Sequence, residues 1–215
     1  MDVRSLERTV LADILLVCVA DCVVGASFGA IAVSGGQPGW VPVAMSLLVF
    51  AGGAQFAALG IVLAGGSPIA AALAGLVLNA RHLPFGFAVA GLVRPTPLGA
   101  HVMIDESVAF ALAQRDRAHA RAAYWTCGLL LFLTWNVGVV AGVFAGRLIG
   151  DPNAFGLDAA SPVVLLALVL PALRDRSTLR AAAVGAVVAL ATTPVLPPGV
   201  PVALALAGLL VAGRA

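Results

Sequence analysis

The chain alternates long apolar runs with short polar breaks. Eight runs can be drawn, near residues 11–33, 41–65, 68–93, 97–113, 124–149, 161–173, 178–193 and 200–213. They are continuous and rich in Ala, Leu and Val. A β-barrel would instead show short segments that alternate apolar and polar positions, so the pattern predicts helices. The breaks carry turn chemistry: Gly35-Gly36-Gln37-Pro38-Gly39, Gly65-Gly66-Ser67-Pro68 and Arg94-Pro95-Thr96-Pro97. The last three runs hold 13–16 residues, short of the ~20 that a perpendicular crossing needs. They either extend into their flanks or cross where the bilayer is thinned. The 97–113 run reads as a short amphipathic piece, Val102 to Leu112, and crosses only if it reaches back to Pro97.

Polar groups interrupt these runs at particular places. The second run reads Met45-Ser46-Leu47-Leu48-Val49-Phe50-Ala51-Gly52-Gly53-Ala54-Gln55-Phe56 in its middle. Each glycine weakens a helix by roughly 1 kcal/mol against alanine, and Gln55 needs partners that lipid does not supply. A helix unwound, kinked or closely packed around a polar pathway accounts for both. The third run contains Leu78-Asn79-Ala80-Arg81-His82-Leu83-Pro84. Pro84 removes a backbone donor and disfavours helix at His82-Leu83, so a break is expected there. In the first run, Gly25 and Gly29 form a face of small residues that admits a second helix. Gly25 to Ile31 is echoed by Gly53 to Leu59, a match that comes cheaply in an Ala/Gly-rich chain.

Composition fixes the broad class. Of 215 residues, 61% are hydrophobic and 10% charged, and the mean hydropathy is +1.07. Soluble domains are nearer ~25% charged. The expected fold is therefore all-α, a polytopic transmembrane protein of about seven or eight spans in a single membrane domain (1–215), with at least one broken or re-entrant helix. The first run lacks a cleavage-site pattern and reads as an uncleaved span after a short charged segment, 1–9. All twelve basic residues are arginines. The segments 114–121 and 174–180 are Arg-rich, which marks them as cytoplasmic and places the C-terminus inside. Eight crossings follow if the 97–113 run spans; seven follow if it lies in the interface. Nothing suggests a nucleic-acid partner.

Ionisable groups within an apolar run cost about 2.5–3.5 kcal/mol on insertion scales, so they tend to face protein or water. Arg81 and His82, with Asn79, are the strongest candidates. Arg81 suits a carboxylate held by a bidentate fork, and His82 is a residue type suited to carrying a proton; the alternative is an arginine marking a helix end. Gly52 and Gly53 with Gln55 would offer free backbone groups at membrane depth, or else a tight helix contact. Asp105 and Glu106 suit a substrate amine or a proton, or else the solvated face of a short helix. Asp21 lies deep in its run and is read as a proton carrier or a partner for an arginine. Trp135-Asn136 reads as packing with an interhelical hydrogen bond, or as part of a site. Cys18 and Cys22 read as small apolar residues. No metal set, cofactor motif or phosphate-cradling loop is present, so a familiar use of ATP is excluded.

Phe50-Ala51-Gly52-Gly53-Ala54-Gln55-Phe56-Ala57-Ala58, Asn79-Ala80-Arg81-His82, Asp105-Glu106-Ser107 and Trp135-Asn136-Val137-Gly138, in that order, resemble the AzlC-like branched-chain amino acid permeases. The stretch Gly25 to Ala32 is similar to the family's first-span glycine motif, with Cys22-Val23-Val24 where a proline often stands. The resemblance implies a bacterial inner-membrane exporter of branched-chain amino acids, with methionine a further apolar candidate. It also implies a small AzlD-like membrane subunit as partner; a homo-oligomer is compatible. On this reading Gly52, Gly53, Gln55, Asn79, Arg81, His82, Trp135 and Asn136 bind substrate. Asp21, His82, Asp105 and Glu106 couple protons, since one charge is worth ~2.3 kcal/mol per 100 mV. Two other classes compete: a non-transporting membrane subunit, and an intramembrane enzyme using His82 and Asp105.

Overall fold

The computed structural model describes residues 8–93, 96–148, 170, 172–197 and 200–212. The described residues are helical, with turns and short extended links between helices. Most of the 161–173 run lies outside them. The helices are α1 (Arg8–Ser34), α2 (Trp40–Leu48), α3 (Gly52–Leu63), α4 (Pro68–Asn79), α5 (His82–Val89), α6 (Pro97–His101), α7 (Asp105–Leu112), α8 (Arg117–Leu148), α9 (Arg176–Thr192), α10 (Val200–Leu204) and α11 (Leu209–Ala212). Among the described residues, three stretches are long and apolar enough to cross a bilayer: Arg8–Ser34, Pro68–Val89 and Arg117–Leu148. Leucines and valines on α1 and α8, such as Leu16, Val19, Leu133 and Val137, are exposed, as expected for faces turned to lipid.

The chain divides into two compact units. The first holds residues 1–52 and 79–158; the second holds 53–78 and 159–215. The core of the first unit is the crossing of α1 and α8. Small residues decide its geometry. A Cβ on Gly142 would stand 1.9 Å from the Ala26 carbonyl oxygen, one on Gly138 2.2 Å from that of Cys22, and one on Gly29 2.2 Å from that of Val139. Backbone meets backbone, the arrangement small residues permit in membranes. The Gly25/Gly29 face read from the sequence therefore finds its partner in α8. Cys18 is buried in the same unit.

The second unit contains the hairpin α3–α4. It turns at Gly65, whose φ of +82° is left-handed, and Ser67 caps α4 by accepting from the Ala70 N–H at 3.1 Å. Ile61 packs with Ala71 and Ala74. The unit also contains α9, which packs closely on Ala205–Gly208. A Cβ on Gly208 would meet the Ala181 carbonyl oxygen at 2.1 Å.

Three expected runs are each split into two helices. The 41–65 run breaks at Val49–Ala51, just before Gly52-Gly53. The 68–93 run breaks at Ala80-Arg81, slightly earlier than His82-Leu83. Pro84 has no N–H for the Ala80 carbonyl, which accepts from Leu83 N–H at 3.1 Å instead. The 97–113 run is α6, a non-helical link Val102–Ile104, and α7. By contrast α8 begins at Arg117, well before the expected 124. Asp116 accepts from the Ala118 and His119 N–H groups at 2.9 and 3.0 Å, an N-cap that lengthens the helix into the Arg-rich segment.

Candidate functional site

The first unit gathers the breaks. Arg81 stands at the start of α5 and Asp105 at the start of α7. Their side chains meet at 3.1 Å, and each remains about two-fifths exposed (40% and 44%). This is an ion pair that a competing charged group can reach. It joins two interrupted helices, and its carboxylate lies at a helix N-terminus, where the dipole favours negative charge.

The link before Asp105 is tightly specified. The Ser107 hydroxyl accepts from Ile104 N–H at 3.0 Å and lies 3.0 Å from the carbonyl oxygens of both Val102 and Ile104, sharing its one hydrogen between them. Ser107 and Val102 are fully buried. Tyr124 on α8 donates its hydroxyl to the Gly99 carbonyl at 2.7 Å. Gly128 lets α8 approach Val102, whose carbonyl oxygen would lie 2.7 Å from an added Cβ. Val89, Val93, Val102, Val108, Ala111 and Tyr124 form one apolar cluster around this link. Unwound backbone survives at such depth only when its polar groups are satisfied, and Ser107 supplies that satisfaction. Ser107 belongs to the Asp105-Glu106-Ser107 motif, yet its hydrogen-bonding role was not foreseen from the sequence. The signal is a hydroxyl at the third position of a helix, able to reach back to the preceding N–H.

Other expected site residues lie elsewhere in the first unit, some of them close to this pair. Asp21 on α1 and Glu106 on α7 lie within electrostatic range of each other, and Glu106 is in range of both Asp105 and Arg81. One Asp21 carboxylate oxygen is buried without a hydrogen-bond partner. His82 places Nδ1 3.0 Å from the Asn79 carbonyl oxygen and its ring edge-on to Phe85 at 5.8 Å. The buried Asn79 side-chain oxygen has no partner. Trp135 is 2% exposed; it stacks on Phe28 with centroids 6.2 Å apart and abuts Gly25 and Gly52. The Asn136 side-chain oxygen accepts from Ser46 at 2.7 Å, and its amide donates to the Phe132 carbonyl at 2.7 Å. These contacts tie α2 to α8. Gly53 and Gln55 belong to the second unit, where Gln55 is buried.

One further cluster was not singled out from the sequence. The His101 ring, at the end of α6, lies 6.3 Å from the Phe50 ring and 5.3 Å from the Phe132 ring, and the two phenyl rings meet edge-on at 5.2 Å.

A model of the AzlC family, described as AzlC protein, matches residues 17–149. No curated protein and no solved structure matches the chain.

Proposed function

The chain belongs to the AzlC family, and from that premise we propose that it exports branched-chain amino acids, with methionine a further candidate, across a bacterial inner membrane. The family and the apolar helices make it a membrane protein related to amino-acid transport. Our finer reading assigns Arg81 to the substrate carboxylate and Asp105 to its ammonium. Each group then leaves its neighbour for the opposite end of a zwitterion. What supports this is the accessible 3.1 Å pair on two interrupted helices. Such breaks in transporters present charged and backbone groups to the ionic ends of small substrates. Asn79 and His82 flank Arg81 in the chain, and Gly52, Trp135 and Asn136 of the same unit complete the reading.

The driving force in this reading is the proton gradient. Asp21 and Glu106, within electrostatic range across two helices, carry the proton, and Asp105 and His82 connect them to the substrate. Eight crossings, with 97–113 a broken span, keep both termini cytoplasmic. A small membrane subunit of the AzlD kind would complete the assembly.

The test is efflux of leucine, isoleucine, valine and methionine from preloaded cells, then flux in vesicles with and without a pH gradient. Arg81→Ala and Asp105→Asn should each lower transport about 10–100-fold, the range of one charge-assisted hydrogen bond. Native flux in both variants would overturn the site. Flux that ignores the pH gradient would overturn the coupling.

A further inference from the structure

The link Val102–Ile104 delivers Asp105, and it follows His101 directly. The other non-helical link in this unit, Val49–Ala51, carries Phe50. Phe50 is 7% exposed, and its ring sits against both His101 and Phe132. The imidazole is thus a bridge from the end of α6 to a second unwound segment, with α8 as backing through Phe132. The phenyl rings meet at 88° and His101 meets Phe132 at 72°, the edge-to-face geometry that aromatic rings favour, while His101 is tilted by 37° to Phe50 within the same contact range. Ser107, Tyr124 and Gly128 fix the link along its length.

We infer that His101 is a positioning residue: by packing its ring against Phe50 and Phe132 it latches the two non-helical segments to each other and sets where Asp105 stands relative to Arg81. The inference rests on the transport reading for its functional consequence, while the latch itself is a statement about packing. The aromatic ring as an apolar body, rather than the imidazole nitrogens, does this work, so phenylalanine should replace histidine.

Two measurements separate latch from transport. In detergent, the melting shifts of Phe50→Ala and His101→Ala should fall short of additive in the double variant by about 2 °C, and His101→Phe should melt like the native protein. In vesicles, His101→Ala should raise the KM for leucine about 3- to 10-fold with Vmax within about twofold, and His101→Phe should restore the native KM. If His101→Ala does not assemble, His101→Leu takes its place, keeping volume without an aromatic face. Additive melting shifts overturn the latch, as does a native KM in His101→Ala. If the native protein moves no amino acid while the melting shifts are non-additive, the transport reading fails and the latch stands.

Discussion

Replacing Gly142 by alanine puts a methyl group where the α1 backbone already stands. The added carbon would lie 1.9 Å from the Ala26 carbonyl oxygen, 2.7 Å from its carbon and 2.9 Å from its Cα. All three are backbone atoms, so no side chain can swing aside. An ordinary contact begins near 3.4 Å, which demands roughly 1.5 Å of local separation in a close-packed interior. The same shift stretches the neighbouring contacts at Gly138 and Gly29, 2.2 Å each by the same measure. Overpacking costs about 1–3 kcal/mol and a lost Cα–H···O contact about 0.5–1, giving about 2–4 kcal/mol together. For a chain of this size that is a fall in melting temperature of about 4–16 °C. Thermal unfolding of the purified protein in a mild detergent reads it. Gly60→Ala is the control: nothing lies within 4 Å of that position, and alanine's helix propensity makes the change neutral or slightly stabilising. A Gly142→Ala protein that melts with the native one would refute the backbone-on-backbone account of this crossing.

Three other outcomes follow from single interactions. Ser107→Ala leaves the Ile104 N–H and the Val102 carbonyl without that hydroxyl in a buried link, and should cost about 1–3 kcal/mol; melting within 1 °C of native, taken as about the error of the assay, would contradict this. Tyr124→Phe removes the bond to Gly99 and should cost about 0.5–1.5 kcal/mol, seen as faster amide exchange confined to residues near 97–104. Asp175 caps α9, and its carboxyl is held down to about 2 by the Ser177 hydroxyl first, then by the Thr178 N–H and hydroxyl. Its folded value lies below the ordinary 3.8, so the cap is complete above about pH 4 and is lost as pH falls toward 2. Amide exchange at Thr178 should accelerate across that window in the native protein and be pH-independent, beyond intrinsic exchange, in Asp175→Ala.

The apolar runs, their helical character and the weak points at Gly52-Gly53 and Pro84 were legible in the residues, because lipid demands internally satisfied backbone and proline withholds a donor. The family match over 17–149 agrees with the resemblance carried by those same motifs. Less visible was the early start of α8. Asp116 is an N-cap signal, but the hydropathy boundary near residue 124 masked it.

The chain's order alone determined that Arg81 and His82 sit at an interruption, since the effect of Pro84 depends on neighbours in sequence; the break before Asp105 and Glu106, inside a stretch that reads as one amphipathic piece, was shown by the structure. Which interruptions meet was decided by tertiary packing. Arg81 reaches Asp105, 24 positions further along the sequence, because α5 and α7 pack together beside α8. Phe50 reaches His101 because Phe132 backs both rings. The Gly25 and Gly29 face advertised a close helix neighbour without naming it, because small residues specify how near a helix may come and leave its identity to complementary glycines at 138, 142 and 146.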